Sequence, residues 1–420
     1  MTKVEIDRVA FLRDMHDVSA FGATAEGGLN REAASADDGR ARDWLRARCV
    51  AEGMPVTVDG VGNMYAMLDI ASPDAPCVLG GSHLDSQPNG GRFDGALGIV
   101  SALHAVLAVK RARETGALRP QRNVGLVNWT NEEGSRFAPS IMGSAVFAGA
   151  LPAPAALAAT DRDGVSLEDA LRAIGYLGRD PAPRNIASYV ELHIEQGVVL
   201  ETSGSTIGVV EGNWGAIKYT VEFRGVAAHT GPTPMPQRRD ALLPAAELIL
   251  FTRQLSDETG GALLSSVGRL DVAPNSTNIV AERVRVFAEL RDVERDRLAA
   301  ACRALEAKIQ ELGRGDVSAT IEKPTDRAPA LFDQKLRDCI EAAAADRGLA
   351  SRRLHTVAGH DAVAVGRILP AGMIFVPSIN GVSHHPAEST SEPDQLNGVQ
   401  VLADVLARLV EDASPEMKRK

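Results

Sequence analysis

The sequence predicts a larger α/β domain into which a smaller α+β domain is inserted. Short apolar runs alternate with helical patterns from about residue 40 to 212 and again from about 333, which is typical of a doubly wound sheet. Between these stretches, apolar and polar residues alternate strictly in 217–225 and 283–291, as expected for half-buried antiparallel strands. We therefore expect the inserted domain at 213–327. The larger domain is expected to consist of a first part at 1–212 and a second part at 328–420.

The larger domain is predicted to contain a mixed sheet whose buried strands are short and apolar. The runs that carry this pattern are "APCVLGGS" (75–82), "VGLVNW" (124–129), "YVELHI" (189–194) and "MIFVPSI" (373–379). Two helical patterns accompany them, "GALGIVSALHAVLAVK" (95–110) and the amphipathic "LNGVQVLADVLARLV" (396–410). The first is short and contains Ser101 and His104, so we expect a buried helix rather than a membrane span.

The inserted domain is predicted to follow the order β-α-β-β-α-β, as in a ferredoxin-like fold. Its most regular strand patterns are "IKYTVEFRG" (217–225), "RVRVFAELR" (283–291) and "VSATIEK" (317–323). Two helical patterns follow strands, "RRDALLPAAELILFTRQL" (238–255) and "ERDRLAAACRALEAKIQEL" (294–312). Helices that cover one side of an antiparallel sheet are characteristic of α+β domains.

Composition and charge exclude several classes of protein. A net charge of −10 and a pI near 5.5 are unlike the basic surface that nucleic-acid binding requires. The four cysteines are scattered without a C-x-x-C pair, so neither a disulfide framework nor a thiolate metal site is indicated. The N-terminal stretch mixes charged and apolar residues at helical spacing and lacks the apolar core of a signal peptide. We therefore expect a cytoplasmic protein that binds neither nucleic acid nor membranes.

Histidine and acidic side chains recur at the predicted carboxyl ends of the strands. "GSHLDSQPNGGRFDGALG" (81–98) places His83 and Asp85 beyond one strand and Asp94 ahead of the next helix. The ends of three other predicted strands contribute Glu132, Glu133, His193 and His384. Because ligands in open α/β sheets gather at this edge, we expect these side chains to form one site.

Three histidines and two carboxylates form a ligand set suited to Zn²⁺, Mn²⁺, Co²⁺ or Ni²⁺. Five ligands are too many for one catalytic ion, but they suit two ions that share a carboxylate and lie roughly 3.5–4 Å apart. In the His83–Asp85 pair, the carboxylate is expected to hold the ring nitrogen that faces away from the ion. Of Glu132 and Glu133, one is expected to bind an ion and the other to act as general base.

Seven stretches make the chain resemble the hydantoinase/carbamoylase amidases of the M20 metallopeptidase superfamily. They are "SHLDSQPNGGRFDG", "NEEGSRFAPSIMGS", "ELHIEQG", "HTGPTPM", "NSTNIV", "AGHDA" and "FVPSINGVSHHPAE". This group contains N-carbamoyl-L-amino acid hydrolases, β-ureidopropionase and allantoate amidohydrolase. A histidine at position 193 makes the chain similar to the amidase branch, because the related peptidases mostly have a carboxylate at the matching ligand position. In "SHHP", His385 occupies the position of an asparagine in the group.

The resemblance implies a metallohydrolase catalytic domain with two divalent ions per subunit. The implied ligands of one ion are His83, Asp94 and His193, and those of the other are Asp94, Glu133 and His384. Glu132 would be the base and Asp85 would support the ligands. The resemblance further implies that the inserted domain is a lid that also forms a homodimer.

The resemblance also implies the residues that bind a small carboxylate substrate. They are Gln196, Asn278, Arg291 and Gly359. Arg291 would hold the carboxylate with two parallel hydrogen bonds, although a strand-end arginine is more commonly a solvated charge. His229 would reach the partner's active site and stabilise the oxyanion, the alternative being an ordinary loop histidine. Four further residues are expected only to support the ligands, cap a helix or stabilise the fold: His360, Asp361, Arg238 and Arg239.

The expected function is hydrolysis of a linear amide or ureido C–N bond in an N-carbamoyl amino acid or a related ureido acid. A hydroxide between the two ions would attack the carbonyl, and Glu132 would pass a proton to the departing nitrogen. The alternatives are an allantoate amidohydrolase and an M20-type aminoacylase or dipeptidase. A non-catalytic metal-dependent binder is the alternative from another class, and Glu132 argues against it, since such proteins tend to lose the base.

Overall fold

The structure is a computed structural model that describes residues 4–322 and 324–412. Residues 1–3, 323 and 413–420, which include the outer ends of the predicted domains and the last residue of the predicted strand 317–323, lie outside the described residues. The chain divides into two compact units, Met1–Glu211 with Phe332–Lys420 and, between them, Gly212–Leu331. Ala330 and Leu331 belong to the second unit because they pair with Asn213 and Gly212.

Helices and strands alternate along much of the chain. The helices are α1 (Arg8–Val18), α2 (Ala36–Ala51), α3 (Ala96–Glu114), α4 (Met142–Phe147), α5 (Ala153–Leu157), α6 (Leu167–Ala173), α7 (Val199–Ser203), α8 (Leu242–Glu258), α9 (Arg295–Leu312), α10 (Gln334–Asp346), α11 (Asp361–Val365) and α12 (Glu392–Glu411). The strands are β1 (Val56–Val58), β2 (Met64–Leu68), β3 (Cys77–His83), β4 (Asn123–Trp129), β5 (Ile186–Ile194), β6 (Ile207–Asn213), β7 (Gly215–Arg224), β8 (Ala228–His229), β9 (Leu264–Ala273), β10 (Ile279–Val280), β11 (Arg283–Asp292), β12 (Ser318–Ile321), β13 (Thr325–Arg327), β14 (Ala330–Leu331), β15 (Ser351–Thr356) and β16 (Ala371–Val376).

The first unit is built on a mixed sheet with the order β1-β2-β4-β3-β5-β16-β6, and β15 also pairs with β6. The four strands β4, β3, β5 and β16 are parallel to one another, whereas β2 and β6 run antiparallel to their neighbours in this group. The carboxyl ends of the four parallel strands therefore meet at one edge. All four predicted buried strands are present, and the prediction of a mixed α/β sheet is confirmed.

Burial explains why these segments form strands and helices. Every residue of β3 and β4 is buried, as expected for central strands covered on both faces. Helix α3 is also buried along most of its length, and it packs against β3 and α12 in the main apolar core of the unit. Among the described residues, no helix is long and apolar enough to span a bilayer.

The second unit has its own sheet and its own apolar core. Its longer strands are antiparallel and lie in the order β12-β7-β11-β9, with β13 also paired to β7 and with β8 and β10 paired to each other. Buried and less buried residues alternate along β11, because one face of the sheet packs on α8 and α9. Along the chain, these elements follow the order strand, helix, strand, strand, helix, strand.

Candidate active site

The polar side chains that follow the parallel strands come together at the carboxyl edge of the first unit. His83 is the last residue of β3, and His193 is the penultimate residue of β5. Glu132 and Glu133 follow β4, and His384 lies in the loop after β16. Asp94 precedes α3, where Gly95 adopts a φ of +65° and a side chain would lie 2.3 Å from the His83 ring. The neighbouring glycine therefore allows Asp94 to approach the histidines.

Two groups of potential ligands share Asp94. The first group is His83, Asp94 and His193, and the second is Asp94, Glu133 and His384. Oδ1 of Asp94 lies 3.5 Å from Nε2 of His83 and 3.0 Å from Nε2 of His193. Oδ2 of Asp94 lies 3.4 Å from Nε2 of His384, which is 3.5 Å from Oε2 of Glu133. Each carboxylate oxygen of Asp94 thus faces a different group.

The two buried histidines have the hydrogen bonds expected of metal ligands. Nδ1 of His83 lies 2.9 Å from the carbonyl oxygen of Asp85, and Nδ1 of His193 lies 2.9 Å from that of Ile194. Each Nδ1 therefore carries a proton, so in the neutral rings Nε2, on the side that faces Asp94, is the nitrogen that could bind an ion. Nε2 of His83 is buried and has no hydrogen-bond partner among the residues that the structure describes. This ligand set fits divalent ions that accept nitrogen and oxygen ligands.

The Asp85 carboxylate does not make the hydrogen bond to the His83 ring that the sequence predicted. The backbone carbonyl of Asp85 makes the hydrogen bond to His83, and the closest carboxylate oxygen is 3.8 Å from Nδ1. The carboxylate instead accepts hydrogen bonds from the backbone N–H groups of Glu132 and Glu133, each at 3.2 Å. The path of the backbone after β3 brings the carbonyl closer to the ring than the side chain. Asp85 therefore holds the segment that carries the two glutamates.

Glu132 and Glu133 face different parts of the site. Oε2 of Glu132 lies 3.6 Å from Nε2 of His83, whereas Oε2 of Glu133 faces His384. Burial raises the pKa of Glu132 well above its usual range, although His83 acts in the opposite direction. Burial and the nearby Asp94 raise the pKa of Glu133 to about 7. Burial also opposes ionisation of Asp94, but the surrounding histidines, His193 above all, lower its pKa well below the usual value.

Two residues for which the sequence predicted no role hold the candidate ligands. Gln87 donates to both carboxylate oxygens of Glu133, from its backbone N at 3.2 Å and from Nε2 at 2.9 Å. Glu388 accepts the backbone N–H groups of Phe93 and Asp94, each at 3.0 Å. A side chain at Gly91 would lie 2.0 Å from the Glu388 carboxyl group, so this glycine makes room for it. Gln87 and Glu388 both lie inside motifs quoted from the sequence, and this position was the signal that could have indicated a role for them.

A cavity at this edge brings together most of the predicted site residues of the first unit. It is lined by Gln87, Asp94, Glu132, Glu133, Ser140, Ile141, His193, Gln196, Ala358, Gly359, His360 and His384. Nε2 of Gln196 donates to Asp94 at 2.7 Å, and its buried Oε1 has no hydrogen-bond partner among the described residues. The His360 ring packs edge-on against His193, with the ring centroids 4.5 Å apart. Asp361 lies in the first turn of α11, and its carboxylate accepts a hydrogen bond from the Ser144 hydroxyl.

The neighbouring histidines His384 and His385 have different surroundings. Only His384 belongs to a potential ligand group within the described residues. His385 is exposed, and its Nδ1 accepts a hydrogen bond from the backbone N–H of Ala387 at 3.1 Å. The backbone of His384 adopts a φ of +54°, in the left-handed region. Gln196 and Ile141 also have positive φ values, of +60° and +59°, so three non-glycine residues that line the cavity are in the left-handed region.

The remaining predicted site residues lie in the second unit. His229 pairs with Ile279 between β8 and β10, and the carbonyl of Asn278 accepts the Thr230 N–H at 3.1 Å, so His229 and Asn278 lie side by side. Arg291 lies near the end of β11, where its Nη2 donates to Glu289 at 3.0 Å. His229 and Asn278 are exposed, and the Arg291 side chain is 29% exposed.

Comparisons with known proteins identify the family. Residues 79–408 match the model of peptidase family M20/M25/M40. The chain is 35% identical to an N-carbamoyl-L-amino acid amidohydrolase of Geobacillus stearothermophilus, over 94% of this chain and 97% of the relative. It is 34% identical to the allantoate amidohydrolase of Escherichia coli, over 93% and 95% respectively.

A solved structure agrees with these relatives. An amidase of the hydantoinase/carbamoylase family from Burkholderia vietnamiensis superposes with a TM-score of 0.86 at 35% identity, covering 99% of this chain and 100% of that chain. The match therefore includes both units. The chain belongs to peptidase family M20/M25/M40 and, within it, to the hydantoinase/carbamoylase amidases.

Proposed function

We propose that this protein hydrolyses a linear C–N bond in an N-carbamoyl amino acid or a related ureido acid. The observation that carries the proposal is the pair of ligand groups that share Asp94 beside the buried carboxylate of Glu132. The names of the relatives support the class of bond and of substrate. A protein that only binds metal would not need a buried acid next to the ligands.

The first ion would be held by His83, Asp94 and His193. The second would be held by Asp94, Glu133 and His384, with Asp94 shared between them. When bound, such ions polarise a carbonyl group and lower the pKa of water. Glu132 would accept a proton from the attacking water and give it to the departing nitrogen, because it lies beside the ligands without being needed as one. Gln87 and Glu388 would keep Glu133 and Asp94 in place.

Metal analysis tests the shared carboxylate. Protein loaded with Zn²⁺ or Mn²⁺ should bind about two ions per chain, as in other sites bridged by one carboxylate. Asp94→Asn should weaken both ions, because each oxygen of Asp94 faces one ligand group. Elemental analysis after gel filtration measures both quantities.

Glu195→Gln is the matched control for Asp94→Asn. Glu195 is also a buried carboxylate close to His193 in the chain, but it accepts hydrogen bonds from the backbone N–H groups of Val199 and Leu200. It should keep both ions. A wild-type stoichiometry that stays at one would contradict the shared role of Asp94.

The class of substrate is tested with a panel of compounds. Metal-loaded protein should cleave N-carbamoyl-L-amino acids, N-carbamoyl-β-alanine or allantoate faster than dipeptides or N-acetyl amino acids. Allantoate is the second candidate, because an allantoate amidohydrolase is among the relatives at nearly the same identity. Measuring kcat/KM for each compound decides between these candidates, and preference for dipeptides would contradict the proposal.

The proposed substrate residues of the second unit are far apart within one chain. Arg291 lies near one end of β11, and Arg283 begins the strand at the other end, roughly 26 Å away at the usual rise of a strand. The segment that pairs with His229, β10, precedes Arg283 along the chain. A small ureido acid is too short to contact Arg291 and His229 of the same chain. This separation supports an active site that takes His229 and Asn278 from one subunit and Arg291 from the other.

The surface of the second unit supports a homodimer formed through it. Strand β9 is ten residues long, lies at the edge of its sheet and has no buried residue. Long exposed edge strands readily pair with another chain. On the adjacent helix α8, Leu243 and Leu250 are seven residues apart on one face and are 62% and 72% exposed. A second copy of the chain would cover both features.

Complementation between two inactive variants tests the shared site. Glu132→Gln and His229→Ala should each be inactive, but mixing them should produce heterodimers in which one of the two sites contains both intact residues. After equal mixing, activity should reach about a quarter of the wild-type value, because half of the dimers are mixed and each has one intact site. Subunit exchange is followed with differently tagged chains. Complete exchange without recovered activity would mean that His229 does not act across a dimer.

A further inference from the structure

Three of the twelve residues in the loop that carries His229 lack a backbone hydrogen-bond donor. Residues 229–240 read "HTGPTPMPQRRD", and Pro232, Pro234 and Pro236 have no N–H group. At its base, the N–H of Val226 bonds to the carbonyl of Arg239 at 2.9 Å. Within the loop, regular structure is limited to the short 3₁₀ helix Met235–Gln237. The turn after His229 is closed by a backbone hydrogen bond from the Thr233 N–H to the His229 carbonyl, which at 3.3 Å is longer than usual, so side-chain contacts can contribute to its conformation.

The side chain of Arg238 folds back into this loop and supplies the missing donors. Nη2 donates to the carbonyl of Thr230 at 2.5 Å, and Nε donates to the carbonyl of Thr233 at 3.0 Å. These two carbonyls flank Gly231 and Pro232. Because the guanidinium is planar and its N–H groups have fixed directions, two such bonds define both the position and the orientation of the turn.

The same turn determines which nitrogen of His229 carries a proton. The backbone N–H of Gly231 donates to Nδ1 of His229 at 3.0 Å. A ring nitrogen that accepts a hydrogen bond is unprotonated, so the neutral ring must carry its proton on Nε2. His229 is exposed, so this Nε2–H can donate to another molecule. An oxyanion requires such a donor.

We infer that Arg238 is a positioning residue that fixes the tautomer and direction of the His229 ring through the 230–233 turn. The inference rests on the role proposed for His229 above, and it replaces the purely structural role that was expected of Arg238 from the sequence. Arg239 provides a matched comparison, because it has the same charge one residue away and is exposed. Among the described residues, its side chain makes no hydrogen bond or ion pair.

Nuclear magnetic resonance of the imidazole nitrogens tests the inference without measuring activity. In Zn²⁺-loaded protein with ¹⁵N-labelled histidine, the His229 signals are identified by their loss in His229→Ala. The wild type and Arg239→Gln should show one dominant tautomer, with the proton on Nε2. Arg238→Gln should show a mixture of tautomers, and Arg238→Lys should lie between them, since a single ammonium cannot make both directed bonds.

Kinetic measurements test the consequence for turnover. Arg238→Gln should lower kcat by about tenfold to a hundredfold, less than the ~10²–10³-fold typical of losing an oxyanion donor completely. KM should change little, because the donor acts mainly in the transition state. In the His229→Ala background, Arg238→Gln should have no further effect, since it acts only through that ring. Arg239→Gln should match the wild type.

The outcomes separate this inference from the role of His229 itself. If His229→Ala is slow but Arg238→Gln has normal kcat and an unchanged tautomer, Arg238 does not position the ring. A full additional loss in the double variant would show that Arg238 acts through the fold instead, and this also overturns the inference. Normal turnover of His229→Ala overturns the role proposed for His229, and the kinetic part of this inference with it.

Discussion

Replacing Glu132 with glutamine is expected to lower kcat by about 10²–10⁴-fold while both metal ions remain bound. The amide is nearly the same size as the carboxylate but cannot accept a proton from water at neutral pH. Oε2 of Glu132 lies 3.6 Å from His83, outside both ligand groups, so ion binding does not depend on it. Initial rates and elemental analysis on the same preparation measure the two effects separately.

Glu133→Gln is the matched control for this variant, because it makes the same chemical change at the adjacent residue. Glu133 belongs to the second ligand group, and Gln87 donates to both of its oxygens. Its replacement should therefore weaken one ion, and added metal should recover part of the activity. No concentration of metal should rescue Glu132→Gln. If metal rescues Glu132→Gln and not Glu133→Gln, the two roles are exchanged.

Replacing Arg291 with alanine is expected to lower kcat/KM for a ureido acid by about two orders of magnitude or more. Removing one side of a buried charge pair costs about 2–5 kcal/mol, and about 1.4 kcal/mol corresponds to a factor of ten. The matching carboxamide has no charge for Arg291 to hold, so its slow hydrolysis should hardly change. Arg291→Lys should recover only part of the loss, because a point charge cannot make two parallel hydrogen bonds.

Arg285→Ala provides a control on the same strand. Arg285 and Arg291 are an even number of residues apart on β11, so their side chains point to the same face. Their side chains are 32% and 29% exposed, and each is paired with a glutamate. Arg285→Ala should leave kcat/KM close to the wild-type value. Equal losses for the acid and the carboxamide in Arg291→Ala would indicate a damaged second unit rather than a missing carboxylate clamp.

The sequence was sufficient to predict the strands that carry the site. β3, β4, β5 and β16 are short apolar runs buried on both faces, and polar residues directly after such a run must lie at the sheet edge. The grouping of His83, Asp94 and His193 around one ion was implied by the resemblance to the amidases. The resemblance to the amidases supplied the expected division of Glu132 and Glu133, which the residues alone left open.

The sequence could not predict contacts that depend on the exact path of a loop. The Asp85 side chain was expected to reach His83, but the backbone of the same residue makes that contact. Gln87 and Glu388 contact ligands that are 46 and 294 residues away, and their presence inside the quoted motifs did not indicate which ligand each would contact. Ile141 has a φ of +59°, a conformation that a β-branched residue rarely adopts and that no propensity would suggest.

The insertion of the second unit has a consequence for the order of events during synthesis. β16 lies between β5 and β6 in the sheet, yet it is made only after the whole of Gly212–Leu331. The nascent first unit therefore lacks a central strand while the second unit, whose chain is continuous, can already fold. Limited proteolysis of chains arrested after residue 331 should find Gly212–Leu331 protected and the preceding segment cleavable. His384 is made after β16, so the second ligand group is the last part of the site that can be assembled.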